Sequence, residues 1–353
     1  MTAEAGPAGA RPEHMRAAVL RGPGRLEVAD VPVPEVGDDG VLVAVDLCGV
    51  CGTDLHMVVE GWGEPGSWQG HEWVGRVAAV GPGVSRWAAG DAVVGGPPVP
   101  CGTCSPCRAG RPSLCAGRDA PGIGPERGAF ATYKVVRAGE LLAMPAGLDP
   151  RAAPLAEPLA VALHGITRSG VRPGQRALVL GAGPIGALTI AALQARGVSD
   201  VTCAEPSGRR RALARAVGAT ATCDPADLEV PSIAEPGRAV DNAVDVVLEC
   251  SGKRAAMEAG LAQLVRGGTL VLVGAGIDPP RFDPNRILLN ELVVTGAFNY
   301  DAGGFEEALA LLASGDLPVD ELLEPEVVRL DGLLDAMVGL AEGRVAGKVL
   351  VRP

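Results

Sequence analysis

Four cysteines stand close together near the end of the first third of the chain. Their spacing is Cys-x2-Cys-x2-Cys-x7-Cys, and they are Cys101, Cys104, Cys107 and Cys115. Four thiolates this close in sequence can surround one tetrahedral metal ion and leave it no open coordination position. Zinc and an iron–sulfur cluster both use four cysteines, so the spacing predicts a structural metal site and leaves the metal open.

A second group of potential metal ligands is scattered over the first half of the chain. It comprises CGTDLH from Cys51, GHE around His71 and Glu72, and EP at Glu157. One thiolate, one imidazole and one carboxylate make three protein ligands, which leaves a fourth position for a substrate oxygen, as at a catalytic zinc. The chain has only 4 histidines, and two of them, His56 and His71, lie in these segments.

A glycine-rich turn follows the apolar run RALVL at 176–180. Glycines between a strand and a helix let backbone N–H groups approach a pyrophosphate at the helix N-terminus. Glu205 ends the next apolar run about twenty residues on, where a carboxylate can bind the ribose 2′-hydroxyl of NAD. We therefore expect a dinucleotide site, and the candidate residues of its turn are Gly181, Gly183, Pro184, Ile185 and Gly186.

Three arginines bear on the choice of cofactor. Arg209, Arg210 and Arg211 follow Glu205 closely. They could bind the 2′-phosphate of NADP or form the solvated first turn of a helix. A carboxylate at Glu205 would repel that phosphate, so the sequence favours NAD, with NADP possible and Arg210 as a candidate cofactor contact.

The elements that must position these residues change in character along the chain. Up to about residue 175, short apolar or alternating runs separated by Gly, Pro and Asp predict an irregular, mainly β domain. Beyond it, apolar runs alternate with helical patterns, which predicts βαβ units and a parallel sheet. The four apolar runs are RALVLG, VTCAEP, VDVVLEC and GGTLVLVG.

Composition limits the partners of the chain. The formal charge is −11, from 31 Lys and Arg against 42 Asp and Glu, and no basic stripe occurs. This balance argues against nucleic acid and anionic membranes. Residues 1–14 are small, Pro-rich and polar, which predicts a disordered tail and no secretory signal. The apolar stretch 177–195 contains the glycine-rich turn and predicts a strand and helix instead of a membrane span, so we expect a cytoplasmic protein.

Together these motifs resemble those of the zinc-containing medium-chain alcohol dehydrogenases. CGVCGTDLH, GHEWVGRV, the four-cysteine segment, AEPLAVALH and VLGAGPIG occur in that family's order and approximate spacing, from about Met15 to the C-terminus. The resemblance implies a Rossmann domain with a doubly wound parallel sheet and a mainly β, GroES-like catalytic domain. The implied division is a tail at 1–14, a catalytic domain at 15–157 and 298–353 with a structural lobe at 101–115, and a Rossmann domain at 158–297.

The resemblance also implies two zinc ions per chain. The structural one would be held by the four cysteines of the lobe, and the ligands of the catalytic one would be Cys51, His71 and Glu157. Glu72 is left with two alternatives, to coordinate zinc when water leaves or to tune it without touching it.

Roles for the neighbouring residues follow from the same resemblance. Asp54 would orient His71, and Thr53 and His56 would form a proton relay. Lys348, in AGKVLV, would approach the pyrophosphate of the cofactor.

The third zinc ligand bears on the substrate. Glu within Glu-Pro, as at Glu157, is similar to the sorbitol and butanediol dehydrogenase branch, which implies a secondary alcohol, polyol or sugar-like hydroxyl as substrate and NAD as oxidant. A homodimer or homotetramer is implied by the same analogy. The alternatives are an NADP-dependent carbonyl reductase, a redox-neutral enzyme that retains NAD, and a binding protein without chemistry, which the intact ligand set argues against.

Overall fold

The computed structural model describes residues 12–96, 100–117 and 127–353. Most of the predicted tail, residues 1–11, lies outside the described residues. The first strand begins at His14, one residue before the Met15 that the sequence suggested.

Strands predominate in the first half of the described chain, whereas strands and helices alternate in the second half. The strands are β1 (His14–Gly22), β2 (Arg25–Pro32), β3 (Gly40–Gly49), β4 (Glu72–Val80), β5 (Ala92–Gly95), β6 (Tyr133–Arg137), β7 (Leu141–Ala143), β8 (Arg176–Leu180), β9 (Asp200–Ala204), β10 (Ala221–Cys223), β11 (Val244–Glu249), β12 (Leu264–Leu272), β13 (Val293–Gly296), β14 (Leu323–Arg329) and β15 (Lys348–Arg352). The helices are α1 (Gly52–Val58), α2 (Ser105–Arg108), α3 (Ala156–Ser169), α4 (Pro184–Ala195), α5 (Gly208–Ala216), α6 (Arg254–Ala262), α7 (Pro284–Asn290), α8 (Gly304–Ser314), α9 (Val319–Leu322) and α10 (Leu333–Ala341).

A seven-stranded, mainly antiparallel sheet supports the first half of the chain. Its order is β14-β15-β3-β4-β5-β7, and β6 pairs with β3 beside this path. Side chains alternate along β3, so Val41 and Val43 enter one core while Leu42 enters another. Strands β1 and β2 form a separate two-stranded sheet. Strand β15 pairs antiparallel with β3, and the last residues of the chain therefore join the sheet that contains β3 and β4.

A six-stranded parallel sheet forms the second half. Its order is β10-β9-β8-β11-β12-β13, which is the doubly wound 3-2-1-4-5-6 order when strands are counted from β8. This confirms the predicted fold class. The order reverses between β8 and β11, and ligands of such sheets bind at the carboxyl ends of the strands on either side of this point. The short strands β10 and β13 were not predicted, because three or four residues carry too little pattern.

Helix α3 links the two sheets. It starts with Glu157 in its first turn, buries most of its apolar residues and ends at Gly170, which adopts the left-handed conformation. Leu159 and Leu163 belong to the same core cluster as Phe305 of α8. No helix in the described part of the chain is long and apolar enough to span a membrane.

Candidate active site

The start of α1 holds the Cys51 segment in place. Cys51 is the N-cap residue, and its backbone N–H donates to Asp54 Oδ2 at 2.8 Å. The other oxygen of this buried carboxylate lies 3.7 Å from His71 Nδ1, and Thr53 Oγ1 lies 3.7 Å from Cys51 Sγ. One buried carboxylate therefore lies beside both Cys51 and His71, and this position suits the predicted role of Asp54 in orienting His71.

The side chains around His71 form a cluster of potential metal donors. Cys51 Sγ, a ring nitrogen of His71 and a carboxylate oxygen of Glu72 lie within 4.8 Å of one another. Burial would lower the pKa of His71, but the charges of Cys51, Asp54 and Glu157 outweigh it and raise the pKa well above its usual value. So many anionic groups around one imidazole suit a divalent cation such as zinc.

Glu72 also belongs to a buried ion pair. Lys348 Nζ donates to both oxygens of Glu72 at 2.6 Å and to the Val50 carbonyl at 3.0 Å. The side chains are 1% and 0% exposed. All three N–H groups of the ammonium are used here, so Lys348 neutralises Glu72 beside the metal cluster. Its contact with the pyrophosphate stays a prediction, which these hydrogen bonds disfavour.

Glu157 has the opposite surroundings. In the described part of the chain no hydrogen bond or ion pair engages its carboxylate, and the side chain is only partly exposed. Burial raises its pKa to about 7, although the charge of His71 opposes the shift. Glu157 has no hydrogen-bond or ion-pair partner, and it lies close enough to His71, whose pKa is raised, for the two charges to interact. Both properties suit a zinc ligand.

The four cysteines of the lobe converge. Their sulfur atoms lie within 4.8 Å of one another, and the Sγ atoms of Cys101 and Cys107 are 3.9 Å apart. Zinc–sulfur bonds of about 2.3 Å in a tetrahedron place sulfur atoms about 3.8 Å apart. All nine cysteines are free thiols, and the grouping of the four lobe sulfurs therefore suits a zinc ion.

Backbone N–H groups prepare these sulfurs for metal. The N–H of Cys104 points at Cys101 Sγ at 3.4 Å, and the N–H of Cys101 points at Cys115 Sγ at 3.3 Å. Donors from Cys104 and Thr103 lower the pKa of Cys101 to about 5, whereas burial and neighbouring thiols raise that of Cys107 to about 12. Cys101 therefore loses its thiol proton more easily than Cys107, and a metal ion would displace the protons that remain on the other thiols.

The glycine-rich turn joins β8 to α4 at the carboxyl end of the parallel sheet. A Cβ atom on Gly186 would come within 1.9 Å of the Gly181 carbonyl oxygen, so only glycine permits this close packing of helix on strand. A Cβ atom on Gly183 would meet nothing. Gly181, Gly183 and Pro184 line a pocket of about 740 Å³, whereas the predicted Ile185 and Gly186 do not line it and instead start the helix.

Glu205 lies at the floor of this pocket. It is buried, and its oxygens accept the N–H groups of Ala182 at 2.8 Å and Ser207 at 2.9 Å. Each carboxylate oxygen has a second lone pair, so the side chain can accept ribose hydroxyls while it braces the turn. Its contact with the ribose stays a prediction.

The three arginines are engaged with the protein. Arg210 lines the pocket, but its guanidinium donates to the carbonyls of Leu340 at 2.8 Å and Val345 at 3.1 Å. Arg209 pairs with Glu324, and Arg211 donates to the carbonyl of Glu205. These arginines connect α5 to neighbouring backbone, a use that the sequence did not indicate.

The pocket extends beyond the Rossmann domain. Val50, Gly52 and Leu55, which flank Cys51, line the same cavity as Gly183 and Glu205. Sequence reasoning missed a further wall of it, the segment after β11 that contributes Cys250, Ser251 and Lys253. The available signal was its position, since this segment follows the strand next to β8 at the switch point.

Two domain families match the chain. Residues 37–146 match the alcohol dehydrogenase GroES-like domain, and residues 184–314 match the zinc-binding dehydrogenase domain. The chain is also 31% identical over 344 residues to sorbitol dehydrogenase of Bacillus subtilis (strain 168), across 92% of this chain and 93% of that protein. The chain belongs to the zinc-containing medium-chain alcohol dehydrogenase family.

Solved structures agree with this assignment. A zinc-binding dehydrogenase from Sinorhizobium meliloti 1021 bound to NADP has a TM-score of 0.84 at 34% identity, covering 97% of this chain and 100% of that chain. Acetophenone reductase from Geotrichum candidum NBRC 4597 in complex with NAD has a TM-score of 0.83 at 25% identity, covering 98% and 99%. This dehydrogenase is thus a zinc-dependent oxidoreductase that uses a nicotinamide dinucleotide.

Proposed function

We propose that this dehydrogenase transfers hydride from a secondary alcohol, polyol or sugar-like hydroxyl to NAD. The observation that carries the proposal is the single cavity lined by the Cys51 segment and by the dinucleotide turn. A cavity that reaches from the residues flanking Cys51 to the dinucleotide turn would suit hydride transfer between a substrate and a cofactor bound side by side. The similarity to a sorbitol dehydrogenase and the Glu-Pro at Glu157 favour a polyol-type substrate.

The zinc ligands of this proposal are Cys51, His71 and Glu157, with the four lobe cysteines holding the second ion. When bound, zinc supplies a Lewis acid that lowers the pKa of a hydroxyl, and NAD supplies the hydride acceptor. Asp54 fixes the orientation of His71. Glu72, neutralised by Lys348, modulates the field around the ligands.

The proton and the cofactor are handled by other side chains. Thr53 lies beside Cys51 and, together with His56 on the same helix, moves the substrate proton toward water. The N–H groups around Gly183 bind pyrophosphate at the start of α4. Glu205 accepts ribose hydroxyls.

NAD is favoured over NADP by the charges at the ribose end. The Glu205 carboxylate would repel a 2′-phosphate, and the guanidinium of Arg210, although it lines the pocket, already donates to the Leu340 and Val345 carbonyls, while Arg209 pairs with Glu324. We therefore expect the dissociation constant of NADP to exceed that of NAD by about tenfold or more.

A substrate panel tests the reaction and the cofactor together. Reduction of NAD and of NADP is followed with primary alcohols, secondary alcohols, diols, polyols and cyclitols, with and without a zinc chelator. Chelator-sensitive reduction of NAD by one secondary or polyol class is the expected result. NADP-only turnover would support the carbonyl reductase alternative, and silence with NAD retained through purification would support the redox-neutral one.

Metal analysis tests the ligand assignment. Glu157→Ala should retain one zinc per chain, in the lobe. The double variant Glu72→Gln/Lys348→Met removes the neighbouring carboxylate together with its counter-charge, and we expect it to retain two. The reverse pattern would make Glu72 the third ligand.

We further propose that the chain forms a homodimer or homotetramer through the edge of the parallel sheet. Strand β13 is the last strand of that sheet. Leu288, Leu289, Val293 and Phe298 near this edge are 71%, 57%, 49% and 46% exposed. An apolar sheet edge favours pairing with a second copy. Light scattering after gel filtration should give a multiple of 35.7 kDa, and Val293→Lys should reduce it.

The proposal also includes the domain boundaries and the cellular location. With boundaries at 158 and 298, Glu157 lies at the junction of the two domains, and β14 and β15 belong to the catalytic domain, whose sheet they join. A cytoplasmic location is proposed because zinc-binding thiolates persist in a reducing compartment. Fractionation of cells that express the full chain would test the location.

A further inference from the structure

The exposed end of α1 carries an acid and an aromatic ring that the proposed function does not use. His56 Nδ1 lies 2.7 Å from Glu60 Oε2. The ring of Trp62 stacks on the ring of His56, with centroids 5.0 Å apart and an interplanar angle of 18°. Of the three tryptophans near His71, Trp68 and Trp73 are buried in the core, whereas Trp62 is 53% exposed.

The local backbone builds this arrangement. After α1, the N–H of Glu60 donates to the Leu55 carbonyl, and the N–H of Trp62 donates to the His56 carbonyl at 3.2 Å. Between them Gly61 has a φ of +83°, and a Cβ atom there would lie 2.7 Å from Pro23. The chain can therefore fold back over His56 only with glycine at this position, which brings Glu60 to one edge of the imidazole and Trp62 to its face.

The helix also connects this end to the metal cluster. Thr53 and His56 are three residues apart and share one face of α1. Glu60 lies two residues after the helix ends and reaches this face through its contact with His56. Thr53 lies beside Cys51 Sγ, the His56 side chain is 21% exposed, and that of Glu60 is 39% exposed. The face thus leads from the ligand cluster to solvent.

We propose that Glu60 is a positioning residue that sets the tautomer of His56 for proton transfer. A carboxylate only accepts hydrogen bonds, so Nδ1 of His56 must carry the proton of the neutral ring. Nε2 then has the free lone pair and accepts the proton that arrives from the site. The resulting imidazolium keeps its hydrogen bond to Glu60 and loses the extra proton to bulk water. Trp62 holds the plane of the ring.

This inference rests on the proposed relay role of His56, and a spectroscopic test is independent of substrate. The full-length, zinc-loaded enzyme is labelled with 15N-histidine, and His56→Gln identifies the His56 signals among the 4 histidines. The expected wild-type spectrum at alkaline pH shows Nδ1 protonated and Nε2 bare. Glu60→Gln should shift the ring toward the Nε2-protonated tautomer, because a carboxamide can also donate to Nδ1. An Nε2-protonated wild type, or a Glu60→Gln variant with unchanged signals, would overturn the proposal.

Single-turnover kinetics supply the second readout, with the alcohol that reacts fastest in the panel. Glu60→Gln should slow cofactor reduction about tenfold, leave KM and zinc content within about twofold, and be partly rescued by Glu60→Asp. Glu64→Gln, in the same loop, is the matched control and should remain near wild type. If His56→Gln is slow and Glu60→Gln is not, this inference alone fails. If His56→Gln is itself as fast as wild type, the relay in the proposed function fails with it.

Discussion

The two clusters of metal-binding side chains are built in opposite ways. The lobe takes its four donors from one short segment, with sulfurs already turned by local N–H groups and Cys101 exposed. The second cluster brings Cys51 together with His71 and Glu72 from separate segments and surrounds them with buried charges, and the proposed ligand Glu157 comes from a further segment. Local geometry is enough to prepare a closed structural site, whereas an open site needs the whole fold to bring its donors together.

The two clusters also differ in how much of their local structure depends on the metal ion. The lobe contributes almost no buried apolar residues, so its own order depends on the ion. The second cluster stands on helices and strands that are already packed, and Glu72 has Lys348 as a permanent counter-charge. Damage to the lobe should therefore appear as local instability, and damage to the second cluster as lost chemistry.

The largest effect is expected from His71→Ala. Without the imidazole the catalytic zinc is lost, and the rate of alcohol oxidation should fall at least about a thousandfold because no Lewis acid remains. The fold and the lobe zinc should persist, as one zinc per chain and an unchanged circular dichroism spectrum. A variant that lost both ions would show that the two zinc sites are not independent of each other.

Lys348→Met should produce the next largest effect, on stability. It leaves the Glu72 carboxylate buried without its partner, at a cost of about 3–5 kcal/mol in unfolding free energy. Urea unfolding of the metal-free chain measures the loss. Adding Glu72→Gln should recover most of it, because no unpaired charge is left; equal instability of the single and double variants would contradict this explanation.

Cys107→Ser should have a smaller and local effect. The lobe should lose its zinc and become sensitive to limited proteolysis within 100–117, while global unfolding loses only roughly 2 kcal/mol. The lobe is tied to the rest of the fold mainly through Arg111 and Ser113, which both contact Asp301. Ser105→Ala, in the same lobe, serves as the control. Full resistance of Cys107→Ser to protease would mean that the lobe folds without metal.

The smallest effect is a pH dependence of zinc uptake at the second cluster. The pKa of Glu157 is raised to about 7, chiefly by burial, so a proton competes with zinc below that pH. The Glu157 proton should lower the zinc affinity of the metal-free site by up to about tenfold per pH unit below 7, equivalent to 1.4 kcal/mol per unit, in addition to the effect of the His71 proton, whose pKa is also raised. Competition with a chelating dye between pH 5.5 and about 8 measures it. Glu157→Gln should make the profile less steep and leave the part that His71 causes, and an unchanged slope would show that Glu157 is not one of the groups whose proton competes with zinc.

Much of the architecture follows from local pattern. The alternation of apolar runs with helical patterns predicted the parallel sheet, and the strands β8, β9, β11 and β12 lie on the predicted runs. The lobe was predicted by spacing alone, because all of its donors lie within one segment. The family resemblance, and not the pattern, supplied the roles of the scattered ligands.

Two cationic residues have partners, distant in sequence, that the sequence did not indicate. Lys348 carries a charge that matches a pyrophosphate, yet its position on β15 beside β3 directs it to Glu72. Arg210 lines the pocket, and its guanidinium donates to the Leu340 carbonyl at the end of α10. In both cases the charge could be recognised from the sequence, whereas the hydrogen-bond partners depend on packing.

The sequence by itself determined the class of fold, the cysteine lobe, the glycine turn and the acidic residue at the ribose end. These depend on short spacings and on periodicity, which the chain expresses within one or two elements. Only the tertiary structure decided that Glu72 is neutralised by Lys348 while Glu157 is left without a partner, and that Glu60 and Trp62 enclose His56. These pairings depend on which strands become neighbours and on how tightly a turn folds back. Once the groups are buried, separating a pair would cost so much free energy that neither group changes its partner.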